Sequence, residues 1–263
     1  MSDEPRDEPF FVGYLPLPRA LRPFLAIAGG ALLLAAAILG YWVAATMPDP
    51  GPARFRFDMG RQTVTGVLME GAYPVLRVTE GNDAIPAGHT LMLSGGGKNG
   101  VQERAAPHIG GLVTVSGVLL QRGPLDMLQV RGAADGLQPA DGEAPALRPA
   151  EPLGRWRLTG ELCDGKCYVG AMRPGRGLSH KACANFCVVG GVPMVFVATA
   201  PIPGAGPNAD FLLVTGPEGG TVPQRLLDMS SMPVALEGTV ERLGDLLVLR
   251  ADPDSLQPAG SAW

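Results

Sequence analysis

The chain has no run of basic residues. Its 21 Lys and Arg are scattered among 25 Asp and Glu, for a net charge of −4. Phosphate contacts need clustered cations, so this pattern argues against a nucleic-acid partner. Charged residues make up only 17% and aromatics 6%. G-x-S-x-G, H-E-x-x-H and the dinucleotide-binding glycine fingerprint are all absent, and no complete catalytic constellation replaces them. This leaves the question of an enzyme open and leans toward a non-enzyme. The 37 Gly and 26 Pro leave little room for long helices and favour short strands and turns.

The exception stands near the N-terminus. Pro23 to Met47 holds 25 residues without a charge. A bilayer core needs about 20 apolar residues in a helix, so this segment is expected to span a membrane. Tyr41 and Trp42 near one end suit the interface. A cleaved signal peptide, cut near Val43-Ala44-Ala45, is the competing assignment, but the run is longer than the usual h-region. Residues 1–22 form a short head, expected on the cytoplasmic side. Arginines flank the span evenly, so charge leaves orientation open. A short head before a long tail, and cysteines in the tail, favour a large domain that is periplasmic or otherwise extracytoplasmic at the inner membrane. The head run PFFVGYLPLP (9 to 18) could lie on the membrane or touch a partner.

Behind the span the chain repeats itself. TVTGVL (63 to 68) matches RLTGEL (157 to 162), and LMLSG (91 to 95) matches LLVTG (212 to 216). VTVSG (113 to 117) matches VALEG (234 to 238), and GLQPADG (136 to 142) matches SLQPAGS (255 to 261). Gly95 to Gly117 and Gly216 to Gly238 both span 22 residues. Each copy alternates apolar and polar residues in short runs, which predicts about five strands per copy. The expected fold is mostly β: a transmembrane helix, then two tandem small barrels of the OB type, with a β-sandwich as the other candidate. The boundaries are 57–142 for the first domain, 143–154 for a Pro-rich linker and 155–260 for the second domain.

The copies differ in one interval. Gly160 to Gly216 is 27 residues longer than Gly66 to Gly95, and all four cysteines lie there. The segment 163–191 reads CDGKCYVGAMRPGRGLSHKACANFCVVGG. Ser179 and Gly190 could start and stop a short helix carrying His180, Cys183 and Cys187 on one face. The turn Pro174-Gly175-Arg176-Gly177 could return Cys167 to that face. Three chemistries fit. Cys167, His180, Cys183 and Cys187 could ligate Zn²⁺ or Cu(I), with Cys163 or the Met172 thioether as further donors. Alternatively, two disulfides could join 163/167 to 183/187 and close loops worth about 3 kcal/mol each. A cycling dithiol is the third, although its usual C-x-x-C spacing is absent.

The run DGKCYVGAMRPGRGLSHKACANFC (164 to 187) resembles a motif in uncharacterised bacterial membrane proteins with N-terminal anchors. The FFVGYLP head is similar to theirs. The resemblance implies anchoring and carries no activity. An anchored external OB domain is also similar to the haem chaperones of cytochrome c maturation, but their H-x3-Y attachment motif is absent. The functional expectation is a membrane-anchored accessory protein with a Cys/His metal site. The alternatives are a disulfide-stapled subunit docking an extracytoplasmic redox partner, or a thiol oxidoreductase. GGGKNG (95 to 100) reads as a flexible turn rather than a phosphate cradle, His89 and His108 as isolated residues, and Asp126 and Asp245 as turn residues.

Overall fold

A computed structural model describes residues 17–46, 53–206 and 208–260. The head run up to residue 16, and Met47 at the end of the apolar segment, lie outside these residues. The chain divides into an N-terminal unit and a globular unit beginning at Pro50.

The N-terminal unit is helix α1, Leu21–Thr46, 26 residues long. At 1.5 Å per residue it measures about 39 Å, more than the roughly 30 Å of a bilayer core. None of its residues is buried. It is long and apolar enough to cross a membrane.

The globular unit is built from strands. In chain order these are β1 (Arg54–Phe55), β2 (Arg61–Met69), β3 (Val75–Glu80), β4 (Thr90–Ser94), helix α2 (Gln102–Ala105), β5 (Leu112–Arg122), β6 (Leu125–Val130) and β7 (Leu137–Pro139). The second copy continues with β8 (Glu151–Asp164), helix α3 (Lys181–Val189), β9 (Met194–Ala198), β10 (Phe211–Thr215), helix α4 (Gln224–Leu227), β11 (Met232–Leu243) and β12 (Leu246–Pro258). Strand β8 begins at Glu151, inside the stretch read as linker, and β1 joins the first sheet ahead of residue 57.

Each copy closes into a five-stranded barrel. The first runs β5-β2-β3-β4-β6 and back to β5; the second runs β8-β9-β10-β12-β11 and back to β8. In both, one pair is parallel, β4 with β6 and β10 with β12, and the other barrel pairs are antiparallel. This is the OB-type Greek-key closure, which leaves no open sheet edge in the ring. The register is shared as well. Val113 faces Pro139 and Thr114 faces Gln138, just as Val234 faces Pro258 and Ala235 faces Gln257.

The repeated glycines are where the chains come closest. A Cβ on Gly66, Gly117, Gly160 or Gly238 would lie 2.3, 2.1, 2.2 or 2.4 Å from a carbonyl oxygen of the neighbouring strand. Narrow barrels need strands coiled this tightly, and only glycine permits it at these positions. The motif matches in the sequence are therefore matches of barrel geometry.

The first barrel has its own core, including Val64, Leu68, Leu76, Val115 and Leu128. The second core is larger and continuous across both copies. Tyr73, Val75, Met92, Leu120 and Met127 of the first copy pack with Tyr168, Phe196, Phe211 and Leu212 of the second. The two barrels thus share one apolar interface.

That interface also contains a polar clasp. His89 Nε2 meets Asp126 Oδ1 at 2.6 Å, and its Nδ1 meets Asp245 Oδ2. Asp245 Oδ1 accepts the Thr90 amide at 2.8 Å, and Leu243 O accepts the Thr90 hydroxyl at 2.9 Å. The expectation of an isolated His89 is corrected here, because its partners are brought together only by barrel packing; Asp245 does lie in the turn between β11 and β12, whereas Asp126 lies within β6. Burial works against the His89 charge, but the two carboxylates outweigh it and push its pKa up to about 10.

Candidate metal centre

The connection from the first to the second barrel strand takes five residues in the first copy, 70–74, and 29 in the second, 165–193. This is the Cys/His insertion. It opens with a wide helical turn, Cys167–Ala171, passes through Leu178–His180 as a 3-10 turn, and continues into α3. Gly190 ends α3, as expected. Ser179 does not cap it. His180 holds the N-cap position, and no side chain caps the first turn, because the 3-10 turn already leads into the helix.

Asp164 organises the centre. It ends β8 with no exposed surface. Its Oδ1 accepts the Cys167 amide at 2.8 Å and its Oδ2 accepts His180 Nε2–H at 2.9 Å. Where the carboxylate accepts from a neutral imidazole, Nε2 carries the hydrogen and the lone pair is left on Nδ1. The Pro174–Gly177 turn folds back as anticipated. Gly175 stands at φ +69°, and a Cβ there would lie 2.4 Å from Cys167 O.

Two overlapping donor groups result. One ligand atom each from Cys167, His180 and Cys183 lie within 4.8 Å of one another, as do those from Asp164, Cys167 and Cys187. Cys167 belongs to both. Cys167, Cys187 and His180 are buried, and Cys183 is half-buried. Val192 and Ala171 pack against the sulfurs. Of the four donors named from the sequence, Cys167, His180 and Cys183 therefore come together, and Cys187 joins them through Cys167 in the second group with Asp164. Cys163 lies in neither group; it faces the second barrel's core, its thiol 3.9 Å from Glu161 O, and burial holds its pKa well up. Met172 sits on the same loop, 45% exposed.

All four cysteines are free thiols, so neither of the considered disulfides is formed. Cys167 and Cys187 instead share a hydrogen bond. It raises the Cys167 pKa, helped by burial and Asp164, and lowers that of Cys187 to about 7 against the opposing effect of burial.

The first copy completes the surroundings. Lys98 Nζ lies 2.7 Å from Cys183 Sγ and 3.7 Å from Cys187 Sγ. In the other direction, buried Lys166 of the insertion donates to Gly95 O and Gly97 O, both at 2.7 Å. Gly100 N–H donates to Gly190 O at 2.8 Å, and Gln102 Nε2 to Gly191 O at 2.6 Å. A Cβ on Gly190 would lie 2.0 Å from Lys98 O. The GGGKNG segment, expected to be a flexible turn, is a turn docked on the insertion. Arg122 of β5 holds the insertion's other side: its Nε donates to Tyr168 O at 2.6 Å and its guanidinium lies 4.3 Å over the Tyr168 ring.

Neither Asp164 nor Lys98 was singled out from the sequence. Asp164 carried a signal in hindsight, a carboxylate three residues ahead of a buried turn amide. Lys98 carried none, since it lies 85 residues from Cys183.

Chemically, the donor set of three thiols and one imidazole suits a thiophilic ion, and the cluster is one that could hold a metal. The Asp164–His180 pair has the form of the carboxylate that orients a metal-bound histidine. No family model, curated protein or solved structure matches the chain.

Proposed function

We propose that this protein is a membrane-anchored, extracytoplasmic accessory protein that binds one Zn²⁺ or Cu(I) ion through Cys167, His180, Cys183 and Cys187. The observation that carries the proposal is the convergence of Cys167, His180 and Cys183, from separate turns of the insertion, to within 4.8 Å of one another. Free thiols at all four cysteines favour a ligand role over a stapling one. The apolar helix α1 supports anchoring. A bound ion would supply charge neutralisation and cross-linking, fixing the β8 end, the Cys167 turn and α3 to one point. The protein's residues prepare the site. Asp164 orients His180, and Val192 and Ala171 shield the sulfurs.

A second reading has one observation behind it. The Cys167–Cys187 hydrogen bond, with Cys187 lowered to about 7, is an arrangement a thiol oxidoreductase could use.

Elemental analysis of the full chain, purified in detergent, separates them. A stoichiometric ion that is lost in Cys183→Ser/Cys187→Ser supports the metal site. A metal-free chain that takes up no added Zn²⁺ or Cu(I) overturns it, and a Cys167–Cys187 disulfide that re-forms after each reduction would transfer the site to the second reading.

A further inference from the structure

The insertion belongs to the second copy, yet a charged group 2.7 Å from one of its sulfurs comes from the first. We propose that Lys98 is part of the metal centre as a positioning residue, and that metal loading locks the Gly95–Gly100 loop of the first barrel onto the insertion of the second. This rests on the metal-binding reading above.

The argument begins with charge. Each thiol that ligates gives up its proton to solvent. Three thiolates and a neutral imidazole around a divalent ion leave one net negative charge, more for a monovalent one. Asp164, fully buried beside them, adds another. Buried Lys166 offsets one of these charges, and a largely buried site cannot carry the other cheaply without a second cation. Lys98 Nζ is placed to supply it, at 2.7 Å from Cys183 Sγ and 3.7 Å from Cys187 Sγ, with a further hydrogen bond to Cys183 O at 3.3 Å. After metal binds this ammonium faces thiolates, and N–H···S bonds to an anion are stronger. The gain on loading therefore falls on the Lys98 contact itself.

The backbone then passes that gain to the loop. Lys98 sits between Gly95 and Gly97, whose carbonyls Lys166 holds, and Gly100, whose amide is held by Gly190 at the end of α3. Gly190 and Gly100 let the two main chains touch, since a Cβ on Gly100 would lie 2.1 Å from Gly191 O. A tighter Lys98 contact thus presses together segments that already fit. Two positively charged groups reach across the same seam in opposite directions, Lys98 toward the sulfurs and Lys166 toward the loop carbonyls.

The test uses the full chain in detergent micelles, as wild type, Lys98→Met and Lys98→Arg. Because the Lys98 side chain is exposed, the apo unfolding midpoint of Lys98→Met should equal that of wild type. Zn²⁺ affinity, measured by chelator competition, should fall about 10-fold or more in Lys98→Met, the range for outer-shell partners of a metal site, and recover in part in Lys98→Arg. Hydrogen exchange of the Gly95–Gly100 amides should slow on Zn²⁺ addition in wild type and not in Lys98→Met. Equal affinities in wild type and Lys98→Met, or loop exchange indifferent to Zn²⁺ in a wild type that binds it, overturn this inference and leave the metal site standing. A wild type that binds no Zn²⁺ or Cu(I) overturns the metal site itself.

Discussion

Replacing Asp164 with Asn tests how the centre is organised. The carboxylate accepts two hydrogen bonds, from the Cys167 amide at 2.8 Å and from His180 Nε2–H at 2.9 Å, and is fully buried. Asparagine keeps one acceptor and turns an NH₂ toward the other donor. One charge-assisted bond, worth about 1.5–3 kcal/mol, is lost. Part of this is returned in the apo protein, because an ionised carboxylate no longer has to be buried beside thiols. The metal-bound state gets no such return, since the ion's charge favours the carboxylate and the oriented imidazole. The net effect should therefore appear in affinity, as a loss of about 10–100-fold, with a smaller change in apo stability. Co²⁺ substitution followed by chelator competition would measure it, because a thiolate charge-transfer band reports occupancy directly. Unchanged affinity in Asp164→Asn would refute the role given to the carboxylate. So would an affinity loss matched in full by a loss of apo stability.

Three further outcomes follow from the fold. In the clasp, His89→Asn should lower stability by about 1–2 kcal/mol after allowing for solvent screening through its half-exposed partner Asp245. Because the folded pKa of His89 is raised to about 10, its contribution is complete below its unfolded value near 6.5 and fades as pH rises through the folded value. Thermal melts should accordingly show a wild-type advantage at about pH 6 that shrinks toward pH 10; an advantage that grows instead would contradict the clasp. Gly160→Ala puts a Cβ 2.2 Å from Val197 O and should cost about 1–3 kcal/mol or more, whereas Gly132→Ala meets nothing within 4 Å and should be near neutral in the same denaturant titration. Arg122→Met removes the hydrogen bond to Tyr168 O and the stacking on its ring, so amides of residues 167–171 should exchange faster while those of the first barrel's own core do not.

How far residues could be read ahead of the structure depended on how local their cause was. Barrel strands declared themselves because alternation and the close-contact glycines, such as Gly66 and Gly160, are imposed within a few residues and recur in both copies. The four donors declared themselves for the same reason: Cys183 and Cys187 are one helical turn apart, and the Pro174–Gly177 turn lies between them and Cys167. Cys163 shared the spacing but not the site, because at the end of β8 its pleat points it into the barrel core, opposite Val195. What stayed hidden was made by packing between copies. Lys98 meets the sulfurs, and His89 meets Asp245, only because the two barrels share an apolar interface, and no local pattern encodes that contact. The dense turn 95–100 looked flexible from its glycines. In place, those glycines allow backbone to sit against backbone.

The central claim is that three sulfurs and one imidazole of the insertion hold a single ion. X-ray absorption at the metal edge of the full chain, loaded with one equivalent of Zn²⁺, tests it most directly. The account predicts a shell of about three sulfurs near 2.3 Å and one nitrogen near 2.0–2.1 Å, with the sulfur contribution reduced in Cys183→Ser. A shell of oxygen and nitrogen alone, unchanged by that substitution, would contradict it.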